Sequence, residues 1–227
     1  MYNIRFVTPG AETDLFAGVV RGESSMIRRV LAVIIVGLVV ITAVAAPPAL
    51  AHPRPSPVPH RWELRFEPGD LRLYVDKPTN KVYWYFTYKV TNLTRNDQIW
   101  APEFTLFLDN GEILKSGGGV SAEITEHLLA LLKNDFLKEQ NELIGDIRTG
   151  AAHALEGLVI WPANDFEVSR ISMFIAGISG DTQSLALPDG QSVLLRKTME
   201  RKYLAPGNVL RRAGEPMELL ETEWIYR

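Results

Sequence analysis

The stretch VYWYFTYKVTNLT, residues 82–94, constrains the fold more than any other part of the chain. Its even positions are Val82, Trp84, Phe86, Tyr88 and Val90; its odd positions are Tyr83, Tyr85, Thr87, Lys89 and Thr91. Period-two alternation sends successive side chains to opposite faces of a strand. β-Branched and aromatic residues suit such a pleated surface. The even face reads as a core stripe, while the odd face starts with tyrosines and grows polar.

Other segments follow the same rule. In RWELRFEPGDLRLYV, Trp62, Leu64 and Phe66 alternate with charges, and the PGD at 68–70 is expected to turn the chain into Leu71, Leu73 and Val75. FTLFLDNGEIL places Phe104, Leu106 and Leu108 before Asn110-Gly111, a strong hairpin signal. Residues 157–162, 168–178, 192–204 and 218–227 supply further strands. About eight short strands separated by turns predict an all-β, immunoglobulin-like sandwich over residues 61–227. One segment breaks the pattern. In SAEITEHLLALLKNDFLKEQN, Ile124, Leu128, Leu131, Leu132 and Phe136 recur at helical spacing, with Ser121 placed to cap and Glu123 and Glu126 near the first turn. This predicts one inserted amphipathic helix lying against the sandwich through its leucine stripe.

The N-terminal part reads as an address. Arg28 and Arg29 precede an apolar run from Val30 to Ala46, followed by Pro47-Pro48 and the small-residue ALA at 49–51. That order is a signal peptide over 26–51, cleaved after Ala51. The alternative is retention of 30–46 as an inner-membrane anchor, since 17 residues is the lower limit for a span. Residues 1–25 carry Glu12, Asp14 and Glu23, which dilute a signal's positive flank, so they read as a mis-assigned upstream extension before a start at Met26. Prolines at 53, 55, 57 and 59 make 52–60 a Pro-rich linker of extended, semi-rigid character. The protein is thus expected to be secreted or periplasmic.

Composition narrows the chemistry. Residues 1–51 hold four Arg and three acids, leaving 20 basic and 24 acidic groups beyond them. A mildly acidic body gives no electrostatic reason to bind nucleic acid, or membrane unless the N-terminal segment is retained. With no cysteine there is no disulfide, thiol nucleophile, thiolate metal site or lipidated cysteine. AGISGD (176–181) departs from the nucleophile-elbow pattern because Asp181 replaces its second glycine, so Ser179 reads as a turn residue. SGGGV (116–120) lacks the Lys-Ser/Thr of a phosphate cradle and reads as a flexible lead-in to the helix. His52, His60, His127 and His153 lack zinc-ligand spacing and read as surface residues. Asp165/Glu167 and Glu221/Glu223 are carboxylate pairs two apart; a hydrolase needs two facing across a cleft, so they read as solvated. RKTMERKY (196–203) reads as a solvated strand face rather than an anion site, and Asn92 heads a glycosylation-type NLT. No metal or cofactor is implied.

The feature with binding potential is the tyrosine pair. Tyr83 and Tyr85 stand about 7 Å apart along a strand, close to a sugar repeat, and aromatic platforms hold carbohydrate. The competing reading covers that face with the helix or a loop. The motifs Tyr83-Trp84-Tyr85 through TYKVTN, APEF (101–104), LDNG (108–111), WP (161–162), GISG (177–180), RKT (196–198), APG (205–207) and WIYR (224–227) together resemble an uncharacterised family of exported β-sandwich proteins of planctomycete-type bacteria. The resemblance spans about residues 60–227 and implies export and fold, with no activity or site residues attached. The expected role is a non-enzymatic interaction or structural module of the cell envelope, its partner an envelope protein or a glycan. The alternatives are a carbohydrate-binding module using Tyr83 and Tyr85, and a carboxylate-based hydrolase.

Overall fold

A computed structural model describes residues 53–205 and 207–227. The expected upstream extension, signal peptide and cleavage position lie outside the described residues, as does His52. Residues 52–227 form one unit, mostly β, with two main sheets over a shared core.

Strands β1 (Arg65–Asp76), β2 (Lys81–Thr91), β6 (Leu137–Glu139) and β8 (Leu155–Ala163) make the smaller sheet, in the order β1-β2-β8-β6. The larger sheet runs β10-β11-β9-β4-β5, from β4 (Glu103–Leu108), β5 (Ile113–Lys115), β9 (Arg170–Ala176), β10 (Thr182–Ala186) and β11 (Ser192–Leu204). β12 (Glu218–Tyr226) pairs along β11. A separate two-stranded ribbon joins β3 (Gln98–Trp100) to β7 (Gly145–Ile147). The expected strands at 157–162, 168–178, 192–204 and 218–227 correspond to β8, β9, β11 and β12. Four short strands, β3, β6, β7 and β10, were not foreseen.

The core between the sheets follows side-chain parity. From β2 come Val82, Trp84, Phe86, Tyr88 and Val90; Phe104, Leu106, Leu108, Ile171, Met173 and Ile175 face them from β4 and β9. Tyr88 is the hub. Its ring stacks on Phe66 at 5.4 Å, approaches Phe104 at 5.1 Å and Trp100 at 5.7 Å, and its hydroxyl accepts the Trp100 indole N–H at 3.3 Å. Gly157 lies opposite it on β8, where any Cβ would overlap the Tyr88 ring.

The segment expected to turn at PGD does not turn. β1 continues through it with one extra residue, since Pro68 pairs with Tyr88 and Leu71 with Phe86. A bulge of this kind switches parity without reversing the chain. That is why Phe66 and Leu71, an odd number of residues apart, both reach the core. The hairpin at Asn110-Gly111 forms as expected, with the Asn110 side chain accepting from the Glu112 N–H at 2.9 Å.

The helix α1 (Ala122–Leu132) lies between β5 and β6. It is shorter than its apolar pattern suggests. Lys133 adopts a left-handed conformation, φ 51°, and Asn134 then turns the chain by accepting the Phe136 N–H at 3.0 Å. Phe136 therefore falls beyond the helix and is 78% exposed, and Leu131 is also exposed. Ser121 occupies the N-cap position, though its side chain makes no capping hydrogen bond.

Candidate functional site

The tyrosines of β2 sit under α1. Tyr83 and Tyr85 are 4% and 6% exposed, packed with Leu158 and Ile160 of β8 against Ile124 and Leu128 of the helix. Burial raises both phenols above their ordinary value; for Tyr85 the Arg72 guanidinium partly offsets it. The paired rings present no open platform on which a sugar could stack. The sandwich therefore has two buried layers, one between the sheets and one between the smaller sheet and α1.

Residues 196–203 are solvated on one side only: Arg196 is exposed and Lys202 half-buried, whereas Lys197 and Arg201 turn inward. The Lys197 side chain is 1% exposed and its ammonium lies 2.7 Å from Glu63, 3.9 Å from Asp181, 3.4 Å from the Ser56 carbonyl and 4.8 Å from the centre of the Trp224 ring. Arg201 is also buried, donating to the Tyr203 hydroxyl at 2.7 Å. Both share the inward parity of Met199 and Tyr203, whereas the intervening Lys202 points out and pairs with Glu221 and Glu223.

Asp181, whose side chain is 3% exposed, accepts the His60 and Arg61 N–H groups at 3.0 and 2.7 Å. Gly180 gives its N–H to the Trp62 carbonyl at 2.9 Å, and a Cβ at Gly180 would press into the Trp62 indole at 2.6 Å. The GISGD turn is thus the seat for residues 56–64. The described part of the proline-rich segment is strapped to the sandwich rather than hanging free. Ser179 belongs to this seat, accepting the Asp181 N–H at 3.2 Å and donating to the Trp62 carbonyl at 3.5 Å.

The remaining sequence candidates fall to structural roles. Asp165 accepts from the Glu167 N–H and from Asn110, which lowers its pKa. Glu221 and Glu223 both serve Lys202. The Asn92 amide nitrogen is buried and donates to the Asn96 and Ile147 carbonyls, each at 2.9 Å, so the folded chain does not present it for glycosylation. His60, His127 and His153 are exposed, His127 beside the Tyr74 ring. In the glycine run all three residues are exposed: Gly117, with φ +87°, lies near Gln140 and Asn141 and Gly119 near Pro162, while Gly118 faces open space.

Two clefts carry polar groups that these roles leave unused. One, of about 350 Å³ beside α1, is lined by Thr125, Glu126, Glu139, Asn141 and Glu142 over Leu129 and Ile160. Burial raises the Glu139 pKa there.

The other is a groove of about 420 Å³ on the outer face of the larger sheet. Lys115, Arg196 and Arg227 converge on it, with Thr105 and Thr198 on its floor and Glu103 as its one acid. Phe174 completes the floor, with the Arg227 guanidinium 4.0 Å above its ring. Around it Phe107, Ile113 and Leu194 are 42%, 55% and 64% exposed. Arg196 and Thr198 belong to the 196–203 run that was weighed as an anion site; the other groove residues were not sequence candidates. Parity puts Thr105 and Phe174 on outward faces, but which strands neighbour one another could not be read.

No family model, curated protein or solved structure matches the chain. Among the described residues no group of three or more His, Asp or Glu is placed to hold a metal ion, and no helix is long and apolar enough to cross a membrane.

Proposed function

We propose that this chain is an exported, non-enzymatic interaction module of the bacterial envelope, built on an immunoglobulin-like sandwich and docking through the outer face of its larger sheet. One observation carries the reading. The smaller sheet's outer face is sealed by α1, whereas the larger sheet leaves Phe107, Ile113 and Leu194 exposed around a groove. Exposed apolar residues grouped on one face mark an interaction surface more often than scattered ones do. Export is supported by the order of charge, apolar run and small residues over 26–51. The immunoglobulin-like assignment is supported by chain connections that pass from one main sheet to the other after β5 and β8, and from β2 to β4 by way of the β3 ribbon strand. Membership of the exported sandwich family of planctomycete-type bacteria rests on the short motifs that punctuate residues 60–227.

The test is co-sedimentation of the purified chain with isolated envelope, comparing wild type with the double variant Ile113→Asp/Leu194→Asp. Loss of co-sedimentation with unchanged thermal unfolding is the expected result. Equal retention of both proteins would remove this face from the account.

A further inference from the structure

Three cations, Lys115, Arg196 and Arg227, face the groove with no ion-pair partner among the described residues. Two of them stand directly opposite each other: the Arg196 N–H donates to the Arg227 main-chain oxygen at 2.8 Å, and the Arg227 N–H to the Arg196 carbonyl at 3.1 Å. Like charges placed directly across a strand pair destabilise it. The backbone pairing sets two arginines side by side on this face, and Lys115 lines the same groove. An oxyanion between the two guanidiniums removes that repulsion, and guanidiniums take carboxylates through paired, charge-assisted hydrogen bonds. Stacking on Phe174 holds one of the two in place beforehand.

We propose that this groove binds the carboxylates of an acidic glycan, with Arg196 and Arg227 as the principal donors and Lys115 as a second positive contact. The proposal rests on the docking reading above and names its partner. Charge complementarity selects an anion, and the surroundings select its carrier. The groove crosses the face of paired strands β4, β9 and β11, where the backbone groups are engaged in ladders. A peptide laid across it would bury its own amides and carbonyls without partners, which is costly. A glycan satisfies itself through side-chain donors. Glu200, Glu221 and Glu223 share this outward face by register but lie outside the groove. The positive charge is thus confined to a cleft that a single chain can follow, whereas a flat anionic membrane would have to meet it together with the acids.

The experiment is isothermal titration of the purified chain with an oligogalacturonate at low salt. A neutral cello-oligosaccharide, poly-glutamate and inorganic phosphate are the comparison probes. Binding of the oligogalacturonate alone is expected, weakening as salt rises. Arg196→Gln/Arg227→Gln is expected to weaken it at least ten-fold without lowering the unfolding temperature. Oligogalacturonate binding no tighter than the neutral oligomer, unchanged binding by the double variant, or equal competition by poly-glutamate or phosphate would each overturn the proposal. If it fails while Ile113→Asp/Leu194→Asp still abolishes envelope retention, the docking face stands and only its ligand is wrong. If envelope retention also survives that variant, both readings fall.

Discussion

Replacing Lys197 by Met tests how the strap at 56–64 is held. Methionine keeps most of the stem's volume and its contact with Trp224 but deletes a charge that is 1% exposed. Removing one member of a buried ion pair costs about 3–5 kcal/mol when the partner is left stranded. Here the partners are not fully stranded. The Glu63 side chain is 26% exposed and can regain water, and Asp181 keeps the His60 and Arg61 N–H groups. The expected loss is therefore about 2–3 kcal/mol. For a domain of this size that lowers the unfolding temperature by roughly 5–10 °C.

Glu63→Gln touches only the half-solvated partner and should lose about 1 kcal/mol, with clear non-additivity in the double variant. Chemical denaturation gives the energies. Trypsin cleavage after the exposed Arg61 reports the strap directly, and should accelerate in Lys197→Met. A Lys197→Met protein within about 0.5 kcal/mol of wild type, or one whose Arg61 stays equally protected, would refute this account of the clasp.

Three further outcomes are expected. Gly157→Ala drives a methyl into a Tyr88 ring already held by Phe66, Phe104 and Trp100, and should lose about 3 kcal/mol by denaturant titration; a loss below about 1 kcal/mol would contradict that packing. The Asn134 amide, aided by Lys89, holds the Glu156 pKa below the ordinary 4.5. Its contribution to stability is present above pH 4.5 and lost as pH falls through the depressed value, so the deficit of Glu156→Gln should shrink on acidification. Glu139 runs the other way, because burial raises its pKa: its contribution is full below 4.5 and lost as pH rises through the raised value. Carboxyl NMR titration should place Glu139 above Glu156, and the reverse order would contradict both assignments.

Much of this fold was legible because period two is a local property. The alternation of β2, the Asn110-Gly111 hairpin and the length of β11 follow from residues a few positions apart. The bulge in β1 was half visible, since Phe66 and Leu71 differ in parity, but a turn and a bulge produce the same switch. Strands of three residues, such as β6 and β7, are too short to show any period. What the sequence could not state was which face meets which. The odd face of β2 is sealed because α1 returns across it, and the groove exists because β4, β5, β9 and β11 become neighbours. Lys197 left a trace that was missed, namely its shared parity with Met199 and Tyr203.

The chain contains no cysteine, so single thiols can map the docking face without background. The most direct measurement compares thiol labelling of Ile113→Cys, Leu194→Cys and Phe136→Cys in the presence and absence of envelope. Phe136 follows α1 on the smaller sheet's side. Protection at 113 and 194 with none at 136 is the expected result. Equal labelling at all three positions, or protection confined to 136, would contradict the claim that the larger sheet's open face is where this protein makes its contact.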